Sequence, residues 1–311
     1  MIPDFPDFVA LSLQHASEIV RLTRGLPEYS DYNPVSMLAW DIDNNTLISK
    51  IDDALVVIFK DYINASHFIS VHGKSCTEEA IGRVLSFAEQ HGLEPSLRLI
   101  AREVAKKLSS SAGLKICPDR NNYDYLIQLD AIAALSGKEH RRFRQQLNVF
   151  KNRYESISSI SLLNLHNKSD IKEILEVFHT RELQKPSNDA RNELAALNRC
   201  LQLGRYFHIV AFGIRIGGKL EGFIIFEQSK THIVEHFKKA NIVYTGIYQY
   251  LFHNCCKFWR EKGFEVMNIE QDLGISGLRI AKKSLRPTYL RKYSISRSTP
   301  QPSAPISGHL H

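Results

Sequence analysis

Residues 235–293 read EHFKKANIVYTGIYQYLFHNCCKFWREKGFEVMNIEQDLGISGLRIAKKSLRPTYLRKY. A strand pattern ends in the cations Lys238 and Lys239. The segment GIYQYLFHNCCKFWREKG then carries apolar residues at helical spacing, EVMNIE reads as a short strand, and SGLRIAKKSL reads as a second helix. Alternation of strands and helices over this length predicts a mixed sheet with helices packed on it.

The same order extends upstream. The hairpin YFHIVAFGIRIGGKLEGFIIFEQ, turning at Gly217 and Gly218, precedes the strand THIVEHFKKA, and two helices, KSDIKEILEVFHTREL and ARNELAALNRCLQLG, precede the hairpin. Residues 46–130 carry a matching set: a hairpin around TLISKIDDALVVIFKDY, the run HFISV, the helix CTEEAIGRVLSFAEQHG, the run SLRLI and the helix AREVAKKLSS. In the first of these helices Ile81, Val84, Leu85 and Ala88 mark one buried face, Thr77 is a start signal and Gly92 a stop. Two units of hairpin, strand, helix, strand, helix imply a duplicated architecture without repeated residues.

A length of 311 residues suits two cores. The expected division is 1–136, a basic connecting helix over 137–155, a second unit over 156–295, and a disordered Ser- and Pro-rich tail over 296–311. No apolar run is long enough to cross a bilayer and MIPDFPDF lacks a basic, then apolar, leader pattern, so a cytoplasmic protein is expected, attached to a membrane's inner face at most peripherally. The five cysteines, Cys76, Cys117, Cys200, Cys255 and Cys256, lack metal-ligand spacing and read as free thiols. His232 and His236 stand four apart on a predicted strand without a third ligand, so no metal is expected. A net charge of +7 favours anionic partners: nucleic acid, phosphate-bearing ligands or an acidic membrane surface.

Three places can carry chemistry. In SGKEHRRFRQQLNVFKNRY, Lys138, Arg141, Arg142, Arg144 and Lys151 surround an apolar stripe of Phe143, Leu147 and Phe150; such a helix grips a phosphate backbone or is a solvated basic face. Lys238 and Lys239 precede Tyr244 and Gly246, where a helix N-terminus offers unpaired N–H groups to an anion or carbonyl oxygen. The loop there has one glycine in VYTG and no Arg or Gln at the offset a coenzyme A pyrophosphate needs, which argues against acetyl-CoA as donor. Glu270 and Asp272, followed by Gly274, are expected to leave a strand end on one face, where paired acids bind an ammonium or serve as a general base; the alternative is a helix cap and a salt bridge. Lys282 and Arg286, four apart on one predicted helix, would point into the same cleft and stabilise an oxyanion, or be surface charge. With no G-x-S-x-G and no accessible thiol, direct transfer between two bound substrates is the simplest scheme.

Glu270, Asp272, Leu273, Gly274, Gly277, Leu278, Ala281, Lys282, Ser284 and Pro287 form the pattern E-x-D-L-G-x-x-G-L-x-x-A-K-x-S-x-x-P, and Asp119, Arg120, Asp124, Tyr125, Gly137, Lys138, Arg144, Asn148 and Phe150 fit a second one. Together they resemble the C-terminal domain of bacterial phosphatidylglycerol lysyltransferases and the DUF2156 proteins grouped with them, from about Phe8 to Tyr293. The resemblance implies two tandem acetyltransferase-like (GNAT-like) α/β units. It implies an acyl-group transferase, without a cofactor, that uses aminoacyl-tRNA as co-substrate and a phosphatidylglycerol-like lipid or a small-molecule hydroxyl or amine as acceptor. Carried over, Asp272, Glu270 and Lys282 would be catalytic, with the two acids holding the ammonium. Lys282 or Arg286 would hold ester or phosphate oxygens, and the basic helix would face the tRNA acceptor arm. An acyl-CoA-dependent N-acyltransferase and a non-catalytic binder of RNA or anionic lipid are the alternatives.

Overall fold

The computed structural model describes residues 1–61, 64–108, 113–229 and 231–298; the tail expected over 296–311 lies outside the described residues from 299 on. The first half runs β1 (Val9–Ala10), α1 (Ala16–Thr23), α2 (Pro34–Trp40), β2 (Leu47–Ile51), β3 (Ala54–Lys60), β4 (His67–His72), α3 (Glu78–Gln90), β5 (Ser96–Ala101), α4 (Arg102–Leu108), β6 (Leu114–Pro118), β7 (Asp124–Gln128), α5 (Leu129–Ala134) and α6 (Arg141–Tyr154). The second half runs β8 (Ser158–Leu163), α7 (Lys168–Gln184), α8 (Ala190–Leu203), β9 (Ile209–Ile216), β10 (Lys219–Gln228), β11 (Ile233–Ala240), α9 (Ile247–Glu261), β12 (Val266–Asn268), α10 (Ser276–Lys283), β13 (Thr288–Leu290) and β14 (Lys292–Arg297). From α1 and from α7 onward the two halves follow one order, the duplication expected from the sequence.

Local chemistry accounts for the elements. Thr77 accepts a hydrogen bond from the Ala80 N–H at the start of α3, and Ile81, Val84, Leu85 and Ala88 are buried. Asn33 caps α2 by accepting from the Val35 and Ser36 N–H groups, with Pro34 at the first helical position. Gly217 and Gly218 take φ of 57° and 85°, the left-handed pair that a two-residue hairpin turn between β9 and β10 requires.

The strands form two seven-stranded mixed sheets, β1-β2-β3-β4-β5-β14-β6 and β13-β7-β12-β11-β10-β9-β8. Each half lends one strand to the other: β7 lies in the second sheet and β14 in the first. Chain order and sheet membership therefore do not coincide at a boundary near residue 136. Each sheet also contains one short parallel pair, β4 with β5 at Ile69↔Leu97 and β11 with β12 at Ile233↔Met267 and Val234↔Asn268. Beyond these residues the ladder between the two parallel strands ends.

Three apolar clusters hold the layers. One joins the first sheet to α1 and α3, around Ile19, Leu55, Ile81 and Val84. A second lies under α5, α6 and α9, where Phe143, Leu147 and Phe150 meet Ile247, Leu251 and Trp259. The third lies on the other face of the second sheet, and Val35 and Ala39 of α2 complete it against Leu197 and Cys200 of α8. Helix α2 thus contributes a first-half face to the second half's core. Cys76, Cys200, Cys255 and Cys256 are buried free thiols, and Cys117 is half-buried. Among the described residues no helix is long and apolar enough to cross a membrane.

Candidate functional site

The gap between β11 and β12 gathers the polar side chains. Strand β11 is bulged: Phe226 pairs with Glu235 and Ile225 with Phe237, so His236 has no partner across the ladder. A bulge re-aims the residues beside it. Glu235 and Lys238 are brought together, Lys238 Nζ donating to Glu235 Oε1 at 2.7 Å, while Glu235 Oε2 is buried with no hydrogen-bond partner. Lys238 also sits over the Phe252 ring of α9, 4.4 Å from its centroid.

His236 lies between two carboxylates, Nδ1 at 3.0 Å from Glu270 Oε1 and Nε2 at 3.1 Å from Glu227 Oε2; Ser36 donates to the same Glu270 oxygen at 3.2 Å. Both ring nitrogens face acceptors, which only an imidazolium can satisfy. Burial would lower the His236 pKa, but these two acids outweigh it and raise it to about 9.

Asp272 is fully buried. Arg279 holds it with both ends of its fork, Nε to Oδ2 at 2.9 Å and Nη2 to Oδ1 at 2.6 Å; Arg120 reaches Oδ2 at 3.2 Å, the Gly274 N–H donates to Oδ1 at 2.9 Å, and the Tyr125 hydroxyl donates to Oδ2. Burial alone would raise its pKa; Arg279, Tyr125 and Gly274 hold it down at about 2. The Arg120 guanidinium is itself ringed by Tyr123, Tyr125 and Tyr289, 5.0–5.4 Å from their centroids.

Glu270 and Asp272 do not leave the sheet on one face as expected. Strand β12 ends at Asn268 and Glu270 takes φ of 56°, so strand alternation no longer governs them. Glu270 turns to His236 and Ser36, Asp272 to the arginines. Lys282 and Arg286 are not on one helix either, because α10 ends at Lys283; Arg286 takes φ of 57° and is exposed. Lys282 does point inward. Its ammonium donates to the Ile269 and Gln271 carbonyls, and burial lowers its pKa to about 8 against the charges of Glu270 and Glu235.

The other candidates are dispersed. Lys239 is bound by Glu182 at 2.9 Å and Glu193 at 2.8 Å on the opposite side of β11. Tyr244 packs edge-on against Tyr154 of α6. Gly246 opens α9 with φ of 87°, and a Cβ there would lie 2.1 Å from the Gln146 carbonyl oxygen, so α6 covers the helix start. Arg144 of α6 is spent on the Leu135 and Gly137 carbonyls, whereas Lys138 in the loop before the helix and Arg141, Arg142 and Lys151 on it are exposed and in no ion pair among the described residues. His232 precedes β11 and contacts Glu28 rather than sharing the strand with His236.

A fourth cluster lies where the two exchanged strands begin. Lys292, fully buried, pairs with Asp124 Oδ1 at 2.7 Å and with Asp31; Asp124 also accepts from the Ser30 N–H at 2.8 Å and from Asn268 at 3.2 Å. A surface groove of about 800 Å3 between Phe5–Asp7 and α3 holds none of these residues.

A family model described as "Phosphatidylglycerol lysyltransferase, C-terminal" matches residues 23–296. The chain belongs to this family. No curated protein matched the sequence. Among solved structures, the fold is similar to that of a conserved protein of unknown function from Bacteroides thetaiotaomicron, with 21% identity, TM-score 0.80, and 96% of this chain and 100% of that one covered. It is similar to the C-terminal DUF2156 domain of a putative lysylphosphatidylglycerol synthetase from Agrobacterium fabrum, at 14% identity and TM-score 0.62, covering 92% and 91% of the chains. L-PGS from Bacillus licheniformis aligns at 15% identity and TM-score 0.61, covering 97% and 95%. At these identities the likeness is one of fold, a tandem acetyltransferase-like α/β architecture with two mixed sheets.

Within this phosphatidylglycerol lysyltransferase C-terminal fold, sequence reading passed over Glu235, His236 as a charged residue and Arg279, and named Tyr125 only as part of a pattern. Glu235 was hidden because nothing in the run IVEHFKKA marks the bulge that re-aims it. Asp272 lies in the loop before α10, which begins at Ser276, so no helical spacing links it to Arg279 in the sequence.

Proposed function

We propose that this protein transfers an aminoacyl group from aminoacyl-tRNA to a lipid hydroxyl of the phosphatidylglycerol type. Membership of the family makes it a transferase of the lysylphosphatidylglycerol-synthetase kind. The observation that carries the finer reading is the buried Glu235 carboxylate with one oxygen unpartnered, beside Lys238 and within the field of Lys282. A buried acceptor left unpaired costs about 1–3 kcal/mol, and the α-ammonium of an aminoacyl ester is the donor that removes that cost.

Lys282 suits the chemistry. Two of its three positions are held by backbone carbonyls, which leaves one directed position for a proton or a lone pair. As a neutral amine it takes the proton from the attacking acceptor hydroxyl while the new C–O bond forms. As the ammonium so produced it returns the proton to the ribose oxygen when the tetrahedral intermediate collapses and the original ester bond breaks. A pKa near 8 allows both roles close to neutral pH. Asp272 fixes Arg279 and Arg120 at the rim, where the remaining guanidinium N–H groups are available to phosphate or ester oxygens. Exposed Lys138, Arg141, Arg142 and Lys151 supply a phosphate-binding face for tRNA. The covered start of α9 argues for this donor over coenzyme A, whose pyrophosphate needs that helix end open.

The test is transfer of label from a mixture of radiolabelled aminoacyl-tRNAs into lipid-extractable and water-soluble fractions. Label in lipid is expected, with Glu235→Gln losing it while tRNA binding persists. Label only in water-soluble product would replace the acceptor, and intact aminoacyl-tRNA together with saturable acetyl-CoA binding would overturn the reading.

A further inference from the structure

We propose that the segment Leu273–Arg286 is a docking surface for an anionic lipid bilayer. The proposal rests on the lipid-acceptor reading and names how the protein reaches that lipid. Leu273, Ile275 and Ile280 are 41, 50 and 67% exposed, three branched apolar side chains within eight residues. Beside them Lys283 and Arg286 are exposed, as is Arg291 a few residues on, and none of the three is in an ion pair among the described residues. Residues 273–298 contain seven Lys and Arg and no Asp or Glu; Arg279, Lys292 and Arg297 are paired with acids from elsewhere and Lys282 points inward, so Lys283, Arg286 and Arg291 are the charge this surface presents.

This mixture selects a bilayer. A nucleic acid offers phosphates to the cations but nothing to isoleucines, whereas a headgroup layer takes both, the apolar tips entering the acyl boundary and the cations meeting anionic headgroups. Ile280 and Lys283, three apart on α10, share its outer face. The inner face of the same helix carries Arg279, on Asp272, and Lys282, on the carbonyls that follow β12. Seating the outer face on lipid therefore holds the gap between β11 and β12 one helix diameter, roughly 10 Å, from the membrane surface.

Co-sedimentation with vesicles of phosphatidylcholine containing about one third phosphatidylglycerol, against phosphatidylcholine alone, tests this without tRNA. Binding to the anionic vesicles only, weakening with salt, is expected. Lys283→Glu/Arg286→Glu should weaken it about 25-fold or more, at about five-fold per cation lost. Ile275→Ser/Ile280→Ser should weaken it at low and high salt alike; Ile280→Ser alone, at the most exposed of the three positions, guards against misfolding. Lys168→Glu/Lys172→Glu on α7, which follows the edge strand at the far end of the sheet, removes the same charge and should bind normally. Wild-type protein that ignores anionic vesicles, segment variants that bind as well as wild type, or an equal loss in the α7 variant would each overturn the proposal. Because binding is read apart from transfer, vesicle binding without transfer would sink the transferase reading alone, and transfer without vesicle binding the docking surface alone.

Discussion

His236→Gln turns the buried imidazolium into a measurable quantity. The ring stands between Glu227 and Glu270 with its side chain 3% exposed, and its pKa is raised from 6.5 to about 9. A group whose pKa is higher in the folded state contributes stability that is complete below the unfolded value and disappears as pH rises through the folded one. A separation of about 2.5 units, at 1.36 kcal/mol per unit, corresponds to about 3 kcal/mol lost between pH 6.5 and pH 9 and just beyond. Glutamine cannot be charged and leaves the two carboxylates facing one amide. The variant should therefore be about 3 kcal/mol less stable than wild type at pH 6.5, and the gap should close above pH 9. Urea unfolding at half-unit pH intervals gives both curves. Lys282, whose pKa is lowered to about 8, adds an opposite slope above that pH, but it does so in both proteins and cancels in the difference. Parallel curves across the whole window would refute the charged histidine and the reading of Glu270 as its partner.

Lys292→Met removes the cation between Asp124 and Asp31 and should cost about 3–5 kcal/mol, read as a lower urea midpoint with an unchanged slope. Gly246→Ala places a Cβ 2.1 Å from the Gln146 carbonyl at a φ of 87°; a loss above about 1 kcal/mol is expected, accompanied by increased hydrogen exchange in α6 and the first turn of α9. Arg141→Glu/Arg142→Glu touches only exposed side chains, so stability should stay within about 0.5 kcal/mol while tRNA affinity falls and its salt slope flattens. An unchanged slope would remove α6 from the tRNA face.

The sequence disclosed what is decided locally. Thr77 and the apolar spacing of α3, the double glycine of the β9–β10 turn and the stripe of Phe143, Leu147 and Phe150 each act within a few residues, and each is where the spacing put it. The destination of β7 was not legible, because Asp124–Gln128 pairs with strands some 140 and 160 residues away, Leu126 meeting Asn268 on one side and Thr288 on the other. Nor was the bulge at His236, since an extra residue in a strand is defined by its partner, Phe226 and Ile225 on β10. The placement of Glu270 and Asp272 failed for a related reason: EVMNIE reads as one strand, yet pairing stops at Asn268 and a positive φ follows. Lys238 and Lys239 show the limit of charge reading, because adjacent cations on a strand go to opposite faces, here to Glu235 and to Glu182 with Glu193.

The ion pair that opens the two exchanged strands has a consequence for how the halves recognise one another. Asp124 is the first residue of β7 and Lys292 the first of β14, so corresponding places in the two halves meet across the centre of the molecule. In an assembly of two identical halves such a meeting would set acid against acid or lysine against lysine, both buried, at a cost of several kcal/mol. The opposite charges make each half a mate for the other and a poor one for itself. Separately produced fragments spanning 1–136 and 137–311 should accordingly combine with each other rather than pair with their own kind.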